Sequence, residues 1–155
     1  LKNLDDNLRA NGVDPMSPFE APVETLIANL REMNFHLVEV ITIRNSADLL
    51  VEYVTKLRAA GCVVAAGTEH NTLDLIPLEP QAKGRAPVPE VVQAIFWEGV
   101  CVMAAHQFLV AHGEHGYIDA SGVLHPDYTD AERRIEAFRQ LGAAVIETYF
   151  QKVHP

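Results

Sequence analysis

Two short polar segments of this sequence hold residue types that bind anions and metals. Arg44-Asn45-Ser46 follows one apolar, β-branched run, and Gly67-Thr68-Glu69-His70-Asn71-Thr72 follows another. A guanidinium presents a planar fork of donors that matches phosphate or carboxylate, so Arg44 is the candidate catalytic anion contact. Glu69 and His70 put a carboxylate and an imidazole side by side after a glycine, a pair that can ligate a divalent metal or pass a proton. Successive side chains of an extended segment point to opposite sides. These two therefore converge on one ion only where the backbone turns at the strand end.

The other histidines and the thiols suggest less chemistry. His106 lies in an apolar helical stretch and reads as a hydrogen-bonded core residue. His112 and His115 have the spacing of a metal pair, but Gly113 and Gly116 place them in an exposed turn. A metal enzyme of the sugar-isomerase or aldolase kind would need His106, His112 and His115 to act together. Cys62 opens a buried strand and Cys101 sits mid-helix, with no basic neighbour in sequence to lower a thiol pKa. No Gly-x-Ser-x-Gly elbow, phosphate-binding Walker loop or dinucleotide fingerprint is present.

A scaffold must bring the two polar segments together. His36 to Ile43 is rich in β-branched residues and too short for a helix, so it predicts a strand. Ser46 then caps a helix in which Leu50, Tyr53, Val54 and Leu57 recur at helical spacing, and Gly61 suits its left-handed terminus. Cys62 to Ala66 is uniformly apolar, the pattern of a strand covered on both faces. Strand, helix and strand form a right-handed βαβ unit with parallel strands. Both carboxyl ends then open onto one edge of the sheet, where α/β proteins bind ligands.

The rest of the chain divides around this unit. Residues 1–16 read as a flexible arm, with turn signals at Asn11-Gly12 and Asp14-Pro15. Ser17-Pro18-Phe19-Glu20 has the form of a capping box, Pro22 blurs the start, and Val23, Leu26, Ile27, Leu30 and Met33 make one apolar helical stripe. Pro77, Pro80, Pro87 and Pro89 with Gly84 make 77–89 an irregular connection. Pro89-Glu90 opens a helix to about Ala111 that is apolar almost all round. Glu98, His106 and Gln107 interrupt it, which favours a buried central helix over a membrane span. Thr129-Asp130-Ala131-Glu132 is a second capping box. A long final helix follows, built on Ile135, Phe138, Leu141, Val145, Ile146 and Tyr149, with Gly142 inside it.

Composition narrows the function classes. The chain has 155 residues, 48% hydrophobic and 21% charged, enough apolar material for a core. Its 21 acidic against 12 basic side chains leave a formal charge of −9, which disfavours nucleic acid and suits metal cations. Two cysteines inside apolar runs suit reduced thiols and a cytoplasmic setting. The start, Leu1-Lys2-Asn3-Leu4, has no initiator Met and no signal-peptide character, which predicts a portion of a longer chain.

Residues 35–72 resemble the closing part of the PHP (polymerase and histidinol phosphatase) family, metal-dependent phosphoesterases built on a distorted β/α barrel. Val38-Glu39-Val40-Ile41 with Asn45 is similar to the family's "vEv-x-N" strand end, and Cys62 to His70 is similar to its last strand, which closes on Gly-Ser-Asp-x-His. Glu69 falls where the family has Asp, and His70 falls one position early. The family's amino-terminal His-x-His pair has no counterpart among the seven histidines.

The expected fold class is α/β. Residues 17–76 would be the C-terminal βαβ piece of a distorted β/α barrel, joined by the 77–89 connection to an α-helical extension over 90–155. The resemblance implies a hydrolase of small phosphorylated substrates that uses a divalent metal, zinc, manganese or iron. Glu69 and His70 would be its ligands, Arg44 would balance charge on the phosphoryl oxygens, and the chain would be inactive without the remainder of the protein. The alternative is a non-catalytic α/β-plus-helical module for homodimerisation or partner binding. Its warrant is the helix 90–111, which carries more apolar surface than the other elements cover.

Overall fold

The computed structural model describes residues 22–68 and 78–154. The architecture is mixed α/β, helices with two small sheets, and no barrel closes among the described residues. The chain forms two compact units that meet in sequence between Phe96 and Trp97. The Ser17–Glu20 box, Glu69 and His70 lie outside the described residues.

The first unit begins with helix α1 (Val23–Glu32), whose N-cap is Pro22. Val23, Leu26 and Leu30 are buried from the expected stripe, while Met33 has passed out of the helix and is exposed. Asn34 ends the turn at φ +56°, a conformation asparagine tolerates better than most residues. Strand β1 (Leu37–Ile41) is shorter than the expected run to Ile43, because Thr42–Arg44 coils into a 3₁₀ turn. Asn45 causes the change. Its Nδ2 donates to the Ile41 carbonyl at 2.6 Å and its backbone N–H donates to the Thr42 carbonyl at 3.0 Å. Both Thr42 and Asn45 are buried, so these bonds have little competition from water.

Helix α2 (Ala47–Ala59) is capped as expected, Ser46 Oγ accepting from the Leu49 N–H at 3.4 Å. Its buried face is Leu50, Tyr53, Val54 and Leu57. Each fully buried aliphatic side chain here contributes about 1.5–3 kcal/mol. Gly61 turns the chain at φ +89° into β2 (Val63–Gly67). The strands pair in parallel with Leu37 opposite Val63 and Ile41 opposite Gly67. Val38 and Val64 face the core under α1 and α2, joined by Val40 and Ala66. Alternation along the strands puts Leu37, Glu39 and Ile41 on the other face with Val63, Ala65 and Gly67. On the outer surface Lys56 of α2 bridges Glu24 of α1 at 2.9 Å and Glu52 at 3.2 Å.

The described part of the proline-rich connection is more ordered than its composition suggests. Strand β3 (Gln81–Ala82) pairs antiparallel with β4 (Ala86–Pro87) around a turn at Lys83–Arg85, with Gly84 at φ +73°. The Lys83 N–H donates to the Asn45 carbonyl at 2.9 Å, tying this ribbon to the end of β1. Ala82 and Val88 enter the first core, as do Val92 and Phe96 from the start of helix α3 (Glu90–Ala111).

In the second unit, α3 from Trp97 onward leads through a loop with an Ile118–Leu124 bridge to helix α4 (Ala131–Val153). Its N-cap is Asp130, which accepts from the Arg133 N–H at 2.9 Å, rather than Thr129. Cys101, Val102, Ala105, Tyr117, Ile135 and Phe138 are buried. The helices meet at Gly142, where a methyl group would strike the backbone carbonyl of Cys101, so this glycine makes the close approach possible. The expectation of a buried central helix does not hold. Trp97, Val100, Met103, Phe108 and Val110 are exposed, because α4 and the loop cover only part of the helix surface. By length and composition alone α3 is also long and apolar enough to cross a membrane.

Candidate functional site

The expected site lies at the carboxyl edge of β1 and β2. The pairing of Ile41 with Gly67 ends both strands at one level, so Arg44 and Thr68 leave the sheet on the same side. Arg44 is exposed at the end of the 3₁₀ turn, the position required of a residue that meets a ligand from solvent. The turn itself is held by Asn45, whose three described hydrogen bonds all go to or come from backbone groups. Asn45 therefore positions the edge. Glu69 and His70 follow Thr68 directly in sequence and lie outside the described residues.

One carboxylate at this edge was not singled out by spacing. Glu39 shares the outer face with Ile41 and Gly67, and its side chain lies across Gly67. A methyl group at Gly67 would meet Glu39 Oε1 and stand 2.6 Å from Ile41 Cδ1 and 2.8 Å from Glu39 Cδ. The glycine thus leaves room for the carboxylate beside the last strand. A signal was available in Val38-Glu39-Val40. Alternation sends a charge between two core valines to the opposite face, where a buried sheet would ordinarily carry an apolar residue.

The histidines of the second unit do not form one centre. His106 Nδ1 accepts from the Tyr117 N–H at 3.1 Å, the hydrogen-bonded structural role expected of it. Gly116 permits that approach, since a side chain there would collide with the His106 ring. His112 Nδ1 contacts the Phe108 carbonyl at 2.7 Å, and His115 Nδ1 contacts the Gly116 carbonyl at 2.8 Å. His115 instead stacks edge-on with His125, ring centres 4.9 Å apart. Among the described residues no group of three or more His, Cys, Asp or Glu is placed to hold a metal ion.

The thiols have basic neighbours in space that the sequence did not show. Burial pushes the Cys62 thiol pKa up while Arg31 opposes it, and burial pushes Cys101 up while Arg139 opposes it. Desolvation is the larger effect at both, so each remains a neutral, unreactive thiol.

Comparison with known proteins gives no relative. No family model matches the chain, and no curated protein and no solved structure is significantly similar to it.

Proposed function

We propose that this chain carries the closing βαβ unit of a PHP-like, metal-dependent hydrolase of phosphate esters, with its site at the carboxyl edge of β1 and β2. The observation that carries the reading is the parallel register. It ends both strands together, so the segment that carries Arg44 and the segment that continues toward Glu69 and His70 leave from the same edge of the sheet. Glu39 adds a carboxylate to the same edge. Two carboxylates and one imidazole form a donor set suited to zinc, manganese or iron. Glu39, Glu69 and His70 would hold the ion, which when bound supplies a water acidic enough to be hydroxide near neutral pH. The Arg44 fork would grip the phosphoryl oxygens through charge-assisted hydrogen bonds and offset their negative charge.

The outer side of β1 supports membership of a larger sheet. Met33, Phe35 and Leu37 are exposed around an open, largely apolar groove of about 460 Å³ that Leu26, Leu30, Val38 and Ile41 line with one carboxylate, Glu39. Parallel strands occur almost entirely in sheets covered on both faces, and this groove is where a further barrel strand would add. On this reading the remaining strands and metal ligands come from the rest of a longer chain, and the present residues alone hydrolyse phosphate esters poorly.

Calorimetric titration with manganese and then inorganic phosphate tests the proposal. Phosphate should bind only to the manganese-loaded chain, and Arg44→Ala should weaken that binding roughly tenfold, the loss of about 1.4 kcal/mol. Phosphate affinity that ignores both the metal and Arg44 would contradict it.

A further inference from the structure

The second unit leaves one continuous apolar face uncovered. On α3, Trp97, Val100, Ala104, Phe108 and Ala111 follow the three- and four-residue steps of a single helical face. Trp97 is 50% exposed, Val100 43% and Phe108 39%. No Lys, Arg, Asp or Glu occurs from Gly99 to Ala111. The face continues onto α4, where Leu141, Val145, Thr148, Tyr149 and, at one end, Lys152 line an open groove of about 330 Å³ together with Phe108. These α4 positions also step by three and four, so the groove runs along the helix and has the form that accepts another helix.

We propose that two copies of this chain associate through this face, their α3–α4 pairs forming a four-helix bundle. Charge selects this occupant. With a formal charge of −9, two copies repel over most of their surface, and a strip whose lining holds no carboxylate, with Lys152 at one end, is where they can meet without that cost. A basic partner would be drawn to the acidic surface elsewhere. Area agrees. The exposed parts of Trp97, Val100, Phe108 and Tyr149 alone amount to roughly 400 Å², about half of the ~800 Å² per partner of a standard protein interface, before the rest of the strip is added. A bilayer fits less well, because Gly142 seats α3 against α4, whose Arg133, Glu136, Arg139 and Glu147 would have to enter hydrocarbon beside it. The inference is independent of the metal site.

Sedimentation velocity on the full chain between about 1 and 100 μM tests it, spanning ordinary micromolar affinities. The parent should sediment as a dimer at the upper end. Emission from Trp97, the single tryptophan, should move to shorter wavelength as the dimer forms and its ring leaves water. Val100→Glu and Phe108→Glu each place a charge in the strip at an exposed position, so far-UV circular dichroism should stay unchanged while dimerisation weakens at least tenfold. Phe108→Leu keeps the apolar surface and should keep the dimer. A parent that is monomeric at the upper concentration overturns the proposal. So does a dimer indifferent to both glutamates, or a parent that floats with phosphatidylcholine vesicles as a monomer.

Discussion

Replacing Gly142 with alanine sets two physical effects of opposite sign against each other. Within an isolated helix the change favours folding by about 1 kcal/mol, because glycine gives up more backbone freedom. The α3–α4 approach reverses this. The added methyl would strike the Cys101 carbonyl oxygen and stand 2.5 Å from its carbon and 2.9 Å from the Cys101 Cα. All three are backbone atoms, so no rotamer change relieves the overlap. Restoring an ordinary carbon–oxygen separation of about 3.2 Å requires the helices to part by roughly 1.5 Å along their closest line. Overpacking of this kind costs about 1–3 kcal/mol and sometimes more, and parting the helices also loosens contacts around Ile135 and Phe138. With a backbone atom as the obstacle the overpacking lies at the upper end of that range, and the net effect is a loss of about 1–2 kcal/mol, or roughly 2–8 °C in Tm for a chain of this size. Urea and thermal unfolding followed by Trp97 fluorescence measure it, since Trp97 begins the same unit. Gly113→Ala is the control. It meets no atom within 4 Å and pays only for its φ of +79°, about 1 kcal/mol. A Gly142→Ala chain as stable as the parent, or more stable, would refute the crossing geometry.

Two further expectations concern the first core and the thiols. Asn45→Ala removes the 2.6 Å bond to the Ile41 carbonyl inside a buried turn and should cost about 1–3 kcal/mol in urea unfolding, whereas an unchanged midpoint would show the turn holds without it. Burial raises the folded pKa of Cys62 and Cys101 above the ordinary 9.0, so the unfolded chain releases these protons first as pH rises. The stability they confer is complete below the unfolded value and falls away above about pH 9, a slope that Cys62→Ala/Cys101→Ala should flatten. Rapid labelling of both thiols in the native chain at pH 8 would count against this burial.

The βαβ unit was legible because three local signals agreed along it. The Ser46 cap, the Leu50–Leu57 stripe and the apolar run after Gly61 each have a short-range cause, and all are in place. The end of β1 was misjudged because Thr42 and Ile43 have strand propensity that Asn45 overrides through a bond to a residue four positions back. The cap of α4 moved from Thr129 to Asp130 because both residues can accept at a helix start, and backbone geometry decides between them. The exposure of α3 was hidden because an all-round apolar sequence does not say which neighbours are available to cover it. Glu39 escaped notice at the candidate site because its carboxylate meets Gly67 only through the parallel register, a non-local fact. Arg44 stands at the close of the 3₁₀ turn and not at the strand end, because Asn45 stops β1 at Ile41.

The most direct test of the proposed site is a metal titration of the 155-residue chain, parent against Glu69→Gln/His70→Ala, with zinc or manganese uptake read by competition with a chromogenic chelator. The parent should take up one divalent ion, and the double variant should bind it at least tenfold more weakly, about 1.4 kcal/mol or more. A parent that takes up no metal, or a double variant that binds as tightly as the parent, would contradict the account.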